Sequence, residues 1–126
     1  MLNPTNIKLT LEQTAQHQVL HLVRVGYSYD LTHPGPSGQA ADAPFVGTID
    51  ILGDDLIHDD LLATAVDAHE FDCAPGDTVT IARSFLVGQS LLDEDIGDDE
   101  IKVTIKISRE GVEVGQAMSP IVRGRF

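Results

Sequence analysis

Apolar and polar residues alternate along most of this chain. In segment 19–31 the odd positions carry Val, His, Tyr and Leu, and in segment 101–108 every odd position is Ile or Val. The even positions of segment 101–108 are Lys, Thr or Ser. Because successive side chains of a β-strand point to opposite faces, this pattern predicts strands with one face on a core and the other in water.

Further alternating segments begin near Ile7, Phe45 and Val79, and Val112 follows a short Glu-Gly turn that predicts a hairpin. Seven or eight strands without a convincing helix predict an all-β fold. We therefore expect a single-domain antiparallel β-sandwich over residues 1–126, C2-like or immunoglobulin-like, with at most one short helix. Segment 56–68 stays open, because apolar positions 57, 61 and 65 suit a helix whereas 62, 64 and 66 suit a strand edge.

Two segments interrupt the strand pattern. Segment 32–44 has three prolines, two glycines and no large apolar side chain, so it predicts a flexible loop. Segment 119–126 is apolar and basic, which suits either a last strand or a tail that docks on another molecule.

Negative charge is concentrated in the middle of the chain. The net charge is −12. Segment 50–100 holds fifteen of the twenty acidic residues and only one basic residue, Arg83. Residues 101–126 carry five basic and two acidic side chains. Nucleic acids and anionic membranes need a basic footprint, so we expect neither as a partner.

The sequence predicts no internal disulfide, no secretory signal and no membrane-spanning segment. Cys73 is the one cysteine, so there is no internal disulfide, and its acidic surroundings disfavour a thiolate. The sequence shows no secretory signal and no apolar run of the ~20 residues that a membrane-spanning helix needs. We expect a location in the cytoplasm or in an assembled particle.

Two acidic clusters are candidates for a calcium site, because calcium takes six to eight oxygen ligands. The EF-hand spacing fails: counted from Asp93, position 6 is Asp98 rather than Gly, and position 12 is Thr104 rather than Glu. A site would need two loops that converge at one end of the sandwich, an arrangement loosely similar to the acidic loops of C2-type sandwiches, although no motif identifies that family. The candidate ligands are Asp54, Asp55, Asp59, Asp60, Asp93, Asp95, Asp98 and Asp99. The alternative is that these residues form solvated acidic loops without any cofactor.

Enzymatic chemistry has little support in the sequence. There is no Gly-x-Ser-x-Gly elbow and no phosphate-binding loop, and the histidines lack the spacing of a zinc site. A small hydrolase with a His-carboxylate site is the third alternative. Arg83 interrupts an apolar strand face, so we expect it to be buried against a carboxylate in a structural ion pair; the alternative is an anchor for an anionic ligand.

The sequence favours a non-enzymatic binding or assembly module that acts through protein–protein contacts in a larger complex. An acidic middle and a basic end suit head-to-tail self-association, and strand edges offer a second route. The predicted interface residues are Ile121, Val122, Arg123, Arg125 and Phe126. A calcium-dependent binding module is the main alternative.

Overall fold

Eight β-strands and essentially no helix make up the described part of the chain. The computed structural model describes residues 2–13, 22–53, 60–88, 92 and 99–124, with the side chains of 13, 60 and 99 left out. The strands are β1 (Thr5–Gln13), β2 (Leu22–Thr32), β3 (Phe45–Gly53), β4 (Asp60–Phe71), β5 (Thr78–Gly88), β6 (Asp99–Arg109), β7 (Val112–Met118) and β8 (Val122–Gly124). The all-β prediction is confirmed.

The strands form two antiparallel sheets that face each other across one core. The three-stranded sheet has the order β1-β2-β5, and the five-stranded sheet has the order β4-β3-β6-β7. Strand β8 pairs with β6 beyond the end of β7. This arrangement is an antiparallel β-sandwich, as the alternation predicted.

The inward faces of β2 and β6 are those that the sequence pattern assigned. On β2 the odd positions 23 to 31 are at most 3% exposed, and on β6 the odd positions 101 to 107 are at most 1% exposed. Burying each such side chain contributes roughly 1.5–3 kcal/mol of transfer free energy. These two central strands therefore supply much of the core.

The predicted loop and hairpin are also present. No strand occupies residues 33–44. Glu110 and Gly111, between β6 and β7, have φ angles of 52° and 79°. Two consecutive left-handed residues fit a two-residue hairpin turn whose twist matches the flanking strands.

The ambiguous segment 56–68 is a strand from Asp60 onwards, and residues 56–59 lie outside the described part. Strand β4 is irregular, because its register against β3 shifts twice between Ile49 and Leu52. Ala65 has a φ of 49° at this irregularity. The resulting β-bulge changes which face the following side chains of β4 point to. Apolar residues therefore do not keep one regular spacing through the segment.

Asp50 holds the bulge of β4 in place. Its Oδ1 accepts hydrogen bonds from Thr64 Oγ1 and from the Ala65 N–H, each at 2.9 Å. Lys106 Nζ lies 3.0 Å from Asp50 Oδ2. Asp50 and Thr104 are each 6% exposed although both lie on the outer face of the sheet. The expectation that this whole face lies in water was therefore wrong; at Asp50 the bulge of β4 packs on it.

No helix in the described ranges is long and apolar enough to cross a membrane.

Candidate functional site

A polar network joins the two sheets at the side of the sandwich where β4 and β5 form the sheet edges. Tyr27 and Tyr29 project inward from β2, and Asp67 and His69 project inward from β4. Arg83 lies opposite Tyr27 in the register of β2 and β5, so it shares the inward face. The network therefore connects three strands from both sheets.

The hydrogen bonds of the network fix the position of each proton. An ionised carboxylate only accepts, so the Tyr27 hydroxyl donates to Asp67 Oδ2 at 2.5 Å. The Tyr27 oxygen can then accept from His69 Nδ1 at 3.2 Å. His69 Nε2 is left as an acceptor for the Tyr29 hydroxyl at 2.5 Å. His69 is thus the neutral tautomer with its proton on Nδ1.

The surroundings keep each group in the state that this pattern requires. Burial, followed by the positive charge of Arg83, lowers the pKa of His69. Burial raises the pKa of Tyr27 and of Tyr29. Burial alone would raise the pKa of Asp67, but hydrogen bonds from Arg83 and Tyr27 hold it below its ordinary value. The histidine and the tyrosines stay neutral and the aspartate stays ionised near neutral pH.

Arg83 forms the ion pair with a carboxylate that the sequence predicted, but the prediction that it is buried was wrong, because it lies on an edge strand and is exposed. Its Nε lies 2.9 Å from Asp67 Oδ2, and its side chain is 42% exposed while that of Asp67 is 13% exposed. A second guanidinium nitrogen lies 3.3 Å from Asp67 Oδ1. The pair bridges β4 and β5 at this side of the sandwich.

Gly47 makes room for the network. It pairs with His69 on β4 and with Ile107 on β6. A Cβ atom at this position would lie 2.5 Å from His69 Cε1 and 2.7 Å from the Tyr29 hydroxyl. The missing side chain leaves the space in which the Tyr29 and His69 side chains meet.

The network is suited to tying the sheets together rather than to acid–base catalysis. A histidine that acts as a general base needs a ring nitrogen within reach of the substrate. Both ring nitrogens of His69 are hydrogen-bonded to tyrosines. Cys73 is 3% exposed, and burial raises the pKa of its thiol. Sequence reasoning missed Asp67 and His69, although their period-2 spacing with Phe71 was a usable signal.

A second set of polar atoms surrounds Phe45 at one end of the core. The Arg109 guanidinium carbon lies 4.4 Å from the centre of the Phe45 ring, and the His33 ring meets Phe45 edge to face. Both ring nitrogens of His33 and Nη2 of Arg109 are buried without a partner among the described residues. Buried donors of this kind are normally completed by water or another acceptor.

Most of the predicted calcium ligands lie outside the described residues. These are Asp54, Asp55, Asp59, Asp93, Asp95 and Asp98. Asp60 begins β4 and Asp99 begins β6, and their side chains are outside the description. Gly53 pairs with Asp60 on one side and Ile101 on the other, so the strand ends that border the two acidic clusters lie at the same end of the sheet. Among the described residues no group of three or more potential ligands is arranged to hold a metal ion.

Of the predicted interface residues, Val122 and Arg123 lie in β8, and Ile121 immediately precedes it. Ile121 is 43% exposed, and Val122 is half-buried in β8. Arg123 Nε lies 3.1 Å from Glu100 Oε1 of β6. Arg125 and Phe126 lie outside the described residues. Residues 122–124 therefore form a last strand, the first of the two alternatives for segment 119–126.

The free edge of β5 differs from the other sheet edges. All eleven residues of β5 pair in unbroken antiparallel register with β2. In the described part of the chain, β5 pairs with no other strand. It contains neither proline, lysine nor a carboxylate, and its one charged residue is Arg83. Its outer face exposes Leu86 to 50%.

Comparisons with known proteins support the fold. No protein-family model matches the chain, and no curated protein matches its sequence. The structure is similar to a crystal structure of a protein from Archaeoglobus fulgidus, with a TM-score of 0.54 and 12% sequence identity. The match covers 98% of this chain and 96% of that chain. At this level of identity the likeness supports the β-sandwich architecture alone.

Proposed function

We propose that this protein is a non-enzymatic binding module that takes an extended segment of a protein partner onto the free edge of β5. The observation that carries the proposal is the regular eleven-residue edge, which presents its outer row of backbone donors and acceptors to no described strand. Strand addition satisfies such a row, and alternate side chains of the added segment provide specificity.

The other edges carry features that discourage strand addition. Strand β1 has a bulge at Asn6, whose φ is 50°, and presents Lys8. Strand β4 is broken by the bulge at Ala65. The backbone of β7 is partly occupied, because the Leu2 N–H donates to the Val114 carbonyl. Natural sheets protect their edges with such features; β5 has no bulge, lysine or proline, and its one inward-pointing charge, Arg83, is paired with Asp67.

A peptide-binding experiment tests this function. Random peptides of strand length are selected for binding to the folded protein, and their affinity is measured by calorimetry. Replacing the exposed Ala82 on β5 by Lys should weaken binding by at least about tenfold, because a charged side chain disfavours pairing at a sheet edge. Thr10→Lys is the matched control, since it adds the same charge to the same face of the sheet on β1.

Two results would contradict the proposal. Selection would yield no binding peptide, or the selected peptides would bind the Ala82→Lys and Thr10→Lys variants equally well. Circular dichroism and thermal melting of both variants show that a loss of binding does not reflect a loss of fold.

Calcium binding is a second candidate, favoured by the convergence of the strand ends next to the two acidic clusters. Millimolar calcium should then raise the melting temperature, since a ligand that binds the folded state alone stabilises it. Asp95→Asn combined with Asp98→Asn should abolish the rise. Equal stabilisation by magnesium, or by sodium chloride at matched ionic strength, would indicate general screening of charge instead of a calcium site.

A further inference from the structure

We infer that the partner of the β5 edge is a second copy of this chain. This inference rests on the proposed strand addition and names its occupant. The two β5 strands would pair antiparallel about a two-fold axis at Arg83, and the three-stranded sheets would join into one continuous six-stranded sheet. Such an isologous contact closes on itself and gives a dimer.

The sequence of β5 is complementary to itself in this register. An axis at Arg83 places inward residues opposite inward residues and outward residues opposite outward ones. The opposed pairs are Val79–Val87, Ile81–Phe85, Thr80–Leu86 and Ala82–Ser84. Aromatic and β-branched side chains pair favourably across antiparallel strands, and eleven paired residues extend about 37 Å.

The inward apolar side chains of β5 are only partly covered by apolar neighbours. Val79, Ile81 and Phe85 are only half-buried, whereas the odd positions of the neighbouring β2 are buried from 23 to 31. The difference arises because, among the described strands, β5 has a neighbour on one side only. A second β5 would supply the missing apolar neighbours.

Charge also favours a copy at this edge. Two molecules that each carry −12 repel, so they can meet most easily where acidic side chains are absent. Strand β5 carries no carboxylate, and Arg83 is neutralised by Asp67. At the axis two arginines and two aspartates would meet, and their charges would balance.

The sign of the salt dependence separates this dimer from head-to-tail association. Screening reduces repulsion between the two acidic molecules, so β5 pairing should strengthen with salt. Contact between an acidic loop and the basic C-terminal segment should weaken with salt. In ~0.5 M sodium chloride the Debye length falls to about 4 Å, which makes the difference measurable.

Sedimentation equilibrium of the full chain over a wide concentration range, in low and high salt, is the test. We expect a monomer–dimer equilibrium that strengthens with salt. Ala82→Lys and, separately, Ser84→Lys should each weaken dimerisation by at least about tenfold, because the two new lysines would lie diagonally across the axis on the same outer face and repel each other. Thr10→Lys should leave it unchanged.

Disulfide trapping tests the register. In an equimolar mixture of Ala82→Cys and Ser84→Cys chains, oxidation should yield mainly the mixed crosslinked dimer, because these positions are opposed. The buried Cys73 serves as an internal control in both chains. Equal crosslinking in the unmixed samples would overturn the proposed register.

The inference and the proposed function can fail separately. A monomer at all concentrations and salt levels, or a dimer that both lysine variants leave intact, would overturn the second copy as the occupant. If the Ala82→Lys variant nevertheless loses its selected peptides, strand addition at β5 stands with a different partner. If peptide binding is also unaffected, both proposals are wrong.

Discussion

Replacing Gly47 by Ala should destabilise the protein by about 2–4 kcal/mol. The added Cβ would lie 2.5 Å from His69 Cε1 and 2.7 Å from the Tyr29 hydroxyl, so at least one of these buried side chains has to move. Displacement would break the Tyr29–His69 hydrogen bond and leave its donor without a partner in the core. Urea unfolding measures the change as a lower midpoint with an unchanged slope.

Two comparisons isolate the cause of this effect. Gly26→Ala is the matched control, because its Cβ would meet only the hydroxyl of the exposed Thr10, at 2.6 Å, and that hydroxyl can rotate away. In a His69→Ala background the cost of Gly47→Ala should shrink, since the closest contact is gone. Equal costs in the two backgrounds would show that Gly47 does not make room for His69.

The faces of the central strands could be predicted from the sequence because they follow one physical rule. Strands β2 and β6 have neighbours on both sides, their pleat is regular, and one face lies on the core. Every second residue is therefore apolar, as at Ile101, Val103 and Ile105. Nothing interrupts the period of two, so the facing of these side chains can be deduced without coordinates.

The network between the sheets could not be predicted because β4 does not keep one period. Leu62 and Val66 pack against the core at even positions around the bulge, whereas Asp67, His69 and Phe71 are inward at odd positions. The change from even to odd positions makes the segment look partly helical. Pairing of Arg83 with a carboxylate was predictable from its inward position, but the sequence could not identify Asp67 among many acidic residues.

Alternation also shows which face a residue occupies without showing what covers that face. Lys106 lies on the outer face of β6, as its even position predicts. Its ion-pair partner, Asp50 on the adjacent strand β3, also accepts hydrogen bonds from the bulge of β4, a strand two positions away from β6 in the sheet. Similarly, the sequence located the acidic clusters, but only the pairing of Gly53 with its two neighbours shows that the strand ends next to them converge.

Removing the carboxylate of Asp50 should destabilise the protein by about 2–4 kcal/mol. Asp50→Ala leaves the Ala65 N–H and the Thr64 hydroxyl without their acceptor, and Lys106 without its counter-ion. Ala65 also keeps an unfavourable left-handed conformation that these hydrogen bonds help to hold. The bulge of β4 should loosen first, which hydrogen exchange at Ala65 can detect.

Acid should reproduce part of this loss in the unchanged protein. Burial alone would raise the pKa of Asp50, but hydrogen bonds from Ala65, Lys106 and Thr64 hold it below its ordinary value. Because the folded pKa lies below the unfolded value of about 3.9, the stabilisation is complete above that value. It is lost as the pH falls through the folded pKa. Asp50→Ala should therefore show a shallower loss of stability between neutral and acidic pH.

The matched variants separate the hydrogen bonds of Asp50 from its charge. Asp50→Asn keeps a carbonyl oxygen that accepts from Ala65 and Thr64 but loses the ion pair with Lys106, so its cost should be smaller, about 1 kcal/mol. Ala65→Gly should be neutral or stabilising by up to about 1 kcal/mol, because glycine adopts the left-handed conformation freely. If Asp50→Ala and Asp50→Asn unfold at the same urea concentration as the unchanged protein, the carboxylate does not hold the bulge, and the irregular register of β4 must have another cause.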